Sequence, residues 1–284
     1  MNKVAIAIVV GVCVLAGIIF ATFESSMIYT TGPEVERYKI LKKWDLPIEL
    51  EEISGFVMLS DDRLACIQDE EGIIFIYNLN KEEIEEEYEF GGNGDYEGLA
   101  VNGNDAYVLK SNGTIYEVKD YASSSRKVRE IQTVLTARQN TEGLSLDTKN
   151  NRLLITLKDS EKDDENFKNI YAYDLGLNKL STEPVIKIDL RDSVFSGLKA
   201  NQLTRKMSPS EISIHPSTGE YYIVDGPRPK LLILDKNGKP RDLYLFDPVK
   251  IAQPEGIGFT SDGRLFISNE GHGDPGNVME LQLE

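Results

Sequence analysis

From residue 53 onward, short apolar runs rich in Val, Ile, Leu and Tyr alternate with polar breaks, and five of the runs open alike. The openings are Ile53-Ser54-Gly55-Phe56, Tyr96-Glu97-Gly98-Leu99, Thr141-Glu142-Gly143-Leu144, Pro209-Ser210-Glu211-Ile212 and Pro254-Glu255-Gly256-Ile257. Ser54, Glu97, Glu142, Ser210 and Glu255 are separated by 43, 45, 68 and 45 positions. A period in the mid-forties, made of strand-length apolar runs and Asn-Gly or Asp-Gly turns, predicts the four-stranded blades of a propeller. The expected fold is all-β, a five-bladed β-propeller.

The second repeat resolves into strands at 98–101, 106–109, 114–118 and 128–134, divided by Asn102-Gly103-Asn104-Asp105 and Ser111-Asn112-Gly113. Middle strands of the other repeats fall at 64–67 and 73–79, 153–157 and 170–175, 221–224 and 230–234, and 265–268 and 278–283. Residues 81–90, where acidic side chains interleave with Ile84, Tyr88 and Phe90, read as a solvated outer strand that resists edge pairing. The fifth repeat ends after three strands, while a strand-like segment at 37–44 precedes the first. That segment is expected to supply the missing outer strand and so close the ring. The long interval holds two inserts, 159–169 and 191–207, the second read as a short helical excursion over 194–203.

Residues 4–23 carry no charge and are apolar. Such a run, at ~1.5 Å per residue, is long enough for a hydrocarbon core of ~30 Å. The expected division is a transmembrane anchor at 1–23, a linker at 24–36 and the propeller at 37–284. Lys3 precedes the apolar run and the next basic residue is Arg37, so the positive-inside rule puts the propeller on the extracytoplasmic side. The expectation is a single-pass protein of the cell (inner) membrane with a periplasmic domain. A cleaved signal peptide is the competing reading; the length of the run and the large Phe23 where cleavage wants a small residue speak against it.

A net charge of -16 would repel nucleic acid and excludes it as a partner class. Small molecules or proteins remain as ligands. Cys13 lies in the apolar run and Cys66 is alone in the propeller, so no disulfide within the domain is expected.

Each repeat opening stands at the start of an inner strand, at one mouth of the central channel. Carboxylates at Glu97, Glu142 and Glu255 would repel there unless a proton or cation intervened. Calcium, which takes hard oxygen donors, is the expected ion, with Ser54 and Ser210 adding hydroxyls or water contacts. Asp69, Lys110, Lys158, Asp225, Arg228, Asn269 and His272 fall on loops of the same face and form an expected rim. Lys110, Lys158 and Arg228 read as charge balance, and His215, before Pro216 on the opposite face, as structural. The competing reading of the Glu-Gly openings is that they only fix blade packing.

The five openings, together with Ile267-Ser268-Asn269-Glu270-Gly271, resemble the SdiA-regulated (YjiK-like) family of bacterial propellers over residues 37–284. The resemblance implies the propeller and calcium in its channel. Glu211 departs from the pattern, standing where the other four openings have Gly. The expected function is a membrane-anchored binding or scaffolding module. The alternative, a calcium-dependent hydrolase of an ester, lactone or phosphoester, rests on similarity to gluconolactonase-like and paraoxonase-like propellers, whose metal polarises a carbonyl.

Overall fold

The computed structural model describes residues 36–159, 166–196, 206–271 and 273–284. The expected anchor, all of the linker but Glu36, the middle of both inserts and His272 lie outside them. Among the described residues no helix is long and apolar enough to cross a membrane.

Arg37–Glu284 forms one compact unit of five β-sheets. It begins with β1 (Tyr38–Asp45). The first blade is β2 (Ile53–Met58), β3 (Arg63–Gln68), β4 (Ile73–Asn78) and β5 (Glu83–Glu89), and the second is β6 (Tyr96–Asn102), β7 (Asp105–Lys110), β8 (Thr114–Lys119) and β9 (Lys127–Gln132). The third is β10 (Thr141–Asp147), β11 (Arg152–Leu157), β12 (Phe167–Asp174), β13 (Lys179–Leu180) and β14 (Ile186–Asp189). The fourth is β15 (Pro209–Ile214), β16 (Tyr221–Asp225), β17 (Lys230–Leu234) and β18 (Pro240–Leu245). The fifth joins β19 (Pro254–Phe259), β20 (Leu265–Asn269) and β21 (Asn277–Leu283) to β1, which pairs antiparallel with β21, Trp44 opposite Val278.

Strands β2, β6, β10, β15 and β19 touch one another in cyclic order and form the inner ring. The middle strands are buried along nearly their whole length, which is why they read as continuous apolar runs, whereas β5 and β9 are mostly exposed. Two features of the third blade differ from the simple repeat. Its outer edge is split, since β13 and β14 both pair with β12. In the second insert the described part is a 3-10 turn, Ser193–Phe195, capped where Asp192 Oδ1 accepts from Val194 N at 3.0 Å.

The apolar core is divided among the five gaps between adjacent blades. Sheets buried on both faces must each find two partners, and a ring supplies them. The gap between the last and first blades holds Trp44 from β1, Val278 and Phe266 from the fifth blade, and Phe56, Leu64 and Phe75 from the first. Trp44 is 6% exposed and its ring lies 6.0 Å from that of Phe266.

The inner strands share one irregularity. In every blade the pairing with the second strand shifts by one residue just after the strand begins: at Ile53/Gly55, Tyr96/Gly98, Thr141/Leu144, Pro209/Glu211 and Pro254/Gly256. Ser54, Glu97, Glu142, Ser210 and Glu255 therefore sit in β-bulges. A bulge takes its residue out of the ladder and re-aims its side chain.

Trp44, the single tryptophan of the chain, reports directly on the pairing of β1. Trp44→Ala is expected to destabilise the propeller by about 3–5 kcal/mol, the usual cost of emptying a large aromatic site. Chemical denaturation of the variant followed by circular dichroism measures this, and an unchanged midpoint would show that β1 contributes little.

Candidate functional site at the channel mouth

The bulges gather carboxyl groups where water has little access. Glu142 is 1% exposed, Glu211 2% and Glu255 7%, while Glu97 is half-buried. Burial is the main force raising the proton affinity of all four. Mutual repulsion adds to it: Glu142, Asp95 and Glu255 act on Glu97, and Glu255 and Asp95 act on Glu142. Glu97 and Glu142 are thus held well above the ordinary carboxylate range. Glu255 is pushed up to about 7, burial outweighing the opposing influence of Lys158 and the hydrogen bonds from Ser210 and Gln253.

Among the described residues one ammonium serves this group. Lys158, from the loop after β11, places Nζ 3.1 Å from Glu142 Oε1 and 3.2 Å from Oε2. Its charge also acts on Glu97 and Glu255, and the acids in turn hold the Lys158 ammonium above its ordinary range despite burial. The expected role of Lys158 as charge balance describes this contact.

The other expected site residues divide. Ser210 Oγ accepts from Gly226 N at 3.0 Å and hydrogen bonds to Glu255, so it belongs to the cluster. Ser54 Oγ is buried without a hydrogen-bond partner. Asp69, pushed up to about 6 by burial and then by Glu52, Glu270 and Glu70, belongs to a neighbouring acidic group. Asp225 is fully buried against Lys230 Nζ at 2.9 Å and accepts from Ser208 N at 2.8 Å, which makes it a bracing residue of the fourth blade. Arg228 lies 3.7 Å from Asp225 and donates to Ser208 Oγ at 2.6 Å, joining the same brace. Asn269 donates to Asn277 Oδ1 at 3.1 Å, and Lys110 Nζ lies 5.2 Å from the Tyr96 ring centroid. His272 lies outside the described residues.

Glu211 is a buried carboxyl that the sequence reading marked as a break in the repeat but did not place in the site. In four of the five blades the residue after the bulge is a glycine that faces the next inner strand at close range. A Cβ on Gly98 would stand 2.7 Å from Glu142 O, and one on Gly143 only 2.7 Å from Glu211 Cα. Glu211 occupies this position in the fourth blade, and its carboxyl extends into the axis: Oε1 lies beside Gly143 of the third blade and Oε2 toward Gly55 of the first. Oε1 accepts from Ile212 N at 2.8 Å, and the Leu144 amide also hydrogen bonds to the carboxyl. The signal in sequence was the break in the Glu-Gly pattern itself. A second missed residue is Thr156, whose Oγ1 accepts from Gly143 N at 2.8 Å where the bulge interrupts the ladder.

Among the described residues no three or more His, Cys, Asp or Glu side chains are grouped so as to hold a metal ion as they stand. The donor chemistry is nevertheless that of a hard cation: carboxylates and a hydroxyl, with no thiolate or imidazole among the residues described above.

No protein-family model and no curated protein matches the sequence. Solved structures do match in fold. Glutaminyl cyclase from Myxococcus xanthus aligns with a TM-score of 0.59 at 14% identity, over 87% of this chain and 96% of that one. A chain of the mitotic checkpoint complex aligns with a TM-score of 0.50 at 10% identity, over 90% and 97%. At such identities the likeness establishes the β-propeller fold alone.

The raised carboxyls give stability a pH dependence of definite sign. A carboxyl that binds its proton more tightly when folded adds its full stability below its unfolded range near 4.5, and loses it as pH rises through the folded value. Stability in chelator is therefore expected to fall as pH climbs from the ordinary carboxylate range past about 7, the value at Glu255. Glu255→Gln should remove part of that slope. Denaturation midpoints across this range test both statements, and a profile unchanged by the substitution would refute the role of Glu255.

Proposed function

We propose that the protein is a membrane-anchored, extracytoplasmic binding module whose channel mouth takes a cation, calcium foremost. The observation that carries the reading is the imbalance of charge: Glu142 and Glu255 raise the proton affinity of Glu97, Glu255 raises that of Glu142, and among the described residues Lys158 is the ammonium that acts on all three. A site that binds protons above their ordinary range also favours other cations that can replace them. The resemblance of the repeat openings to SdiA-regulated propellers supports calcium as that ion. Glu97, Glu142 and Glu255 would hold it, with Ser210 and Ser54 as neutral oxygen donors. Bound there, calcium would supply charge neutralisation at the mouth and join the blades that carry these residues.

Because cation and proton compete, calcium is expected to raise the melting temperature more at pH 8 than at pH 6, and chelator to lower it. Glu142→Gln should weaken the response while leaving the β-sheet signal intact. Elemental analysis of the purified protein provides the second arm. Equal melting temperatures in calcium and chelator, together with no bound metal, would overturn the reading.

The uncharged run at 4–23 supports the anchor, and the charge asymmetry around it supports the orientation. Fractionation is expected to leave the full-length chain in the membrane after salt and alkali, with the propeller open to external protease. A soluble mature chain starting near Glu24 would contradict this.

A further inference from the structure

A groove of about 280 Å³ lies between the fourth and fifth blades, on the face opposite the acidic mouth. His215, just past the end of β15, and Phe259, the last residue of β19, mark that face. The walls are mainly apolar: Tyr222, Phe259, Leu265 and Leu281 line them, and the Phe259 ring lies 4.9 Å from those of both His215 and Tyr222. At the lip, a register shift between Ile40 and Lys42 leaves Leu41 outside the β1 ladder, and this leucine is 54% exposed.

One polar group of the wall has a defined proton to give. His215 Nδ1 accepts from the backbone amides of Ser217 and Thr218 at 3.3 and 3.4 Å. Amides only donate, so Nδ1 carries no proton and the neutral ring holds its proton on Nε2. Burial pulls the proton affinity of His215 below its ordinary range, which keeps the ring neutral at neutral pH. Among the described residues Nε2 has no hydrogen-bond partner. The Cε1–Nε2 edge faces the turn at Gly263, where a Cβ would stand 3.1 and 3.3 Å from those two atoms, so glycine keeps the turn clear of the ring. We propose that this groove binds a neutral aromatic ring bearing a carbonyl, with His215 Nε2 donating to the carbonyl oxygen and the ring covering Leu41.

Three observations set this chemistry. Volume comes first: a dry cavity of about 150 Å³ accepts benzene, so the groove has room for one ring and a short substituent. Hydrogen bonding comes second, because the donor at His215 calls for an acceptor and disfavours an ammonium. Charge comes third. Arg264, the cation of the lining, is held 3.4 Å from Glu280 and 3.7 Å from both Asp61 and Asp262, so the acids outnumber it and an anion gains nothing there. The groove shares no residue with the calcium reading and does not depend on it.

The test compares benzamide with benzoate, which is alike in size but anionic at neutral pH. The full-length chain in detergent, carrying isotope-labelled histidine, is titrated with each against detergent-matched blanks. The chain has two histidines, and His215→Phe assigns their signals. Benzamide is expected to shift the His215 Nε2 resonance saturably and to bind one to one by calorimetry. Benzoate should bind about tenfold more weakly, because its charge would lose water beside Glu280. His215→Phe keeps a ring but not the donor, and should weaken benzamide about three- to tenfold, the net worth of one neutral hydrogen bond. Leu41→Asp, at an exposed position, should weaken it while leaving the denaturation midpoint unchanged. No saturable shift with benzamide, equal binding of the two probes, or an affinity that either substitution leaves unchanged would each overturn the proposal. If His215→Phe fails to fold, the wild-type shift and Leu41→Asp decide.

Discussion

The centre of this molecule is governed by how closely five inner strands can approach one axis. In the second and third blades the inner strand meets its neighbour's backbone at the position after the bulge, where Gly98 and Gly143 leave no room for a Cβ. The bulge and the glycine act together. The first turns a polar side chain out of the ladder, and the second lets the next strand come near enough to bury it. Acidic groups at the mouth are thus a consequence of ring packing as much as an addition to it. The two readings of the Glu-Gly openings, packing device and ligand site, describe one geometry.

Electrostatics follows from that packing. Low-dielectric walls make every added charge expensive, so the carboxyls hold protons or share the ammonium of Lys158. The basic groups of the same face are distributed unevenly. Arg228 and Lys230 are committed to Asp225 in the fourth blade, where the pair of charges is enclosed. Among the described residues it is Lys158 that is shared among several of the buried acids. A proton and the lysine ammonium are therefore alternative partners for the carboxyls at the mouth, and pH shifts the balance between them.

Much of the fold was legible because propeller blades repeat. The strand cores at residues 106–109, 153–157 and 230–234 lie within β7, β11 and β17, since buried middle strands leave unbroken apolar runs. The outer edge of the third blade was not legible: β13 and β14 are too short, at two and four residues, for alternation to register. Site residues were readable only as far as the repeat extends. Position in the repeat brought Glu97, Glu142 and Glu255 to one cluster, but grouping the loops by face also swept in Asp225 and Asn269, whose partners are local. Side-chain direction at a bulge does not follow strand alternation, and neither the bulges nor the course of Glu211 could be read from spacing.

The pairing of β1 with β21 sets an order on events during synthesis. Every other blade is built from strands close in sequence, able to form as they emerge. The fifth joins Tyr38 to Leu283, the opposite ends of the propeller. β1 must therefore wait, with Tyr38 and Trp44 uncovered, until the last hairpin leaves the ribosome. Long-range pairing of this kind is slow, because the chain entropy is lost before contacts repay it. Until β1 docks, its apolar face and then the edge of β21 are open to other chains, so the final strand pairing is the step at which assembly and aggregation compete.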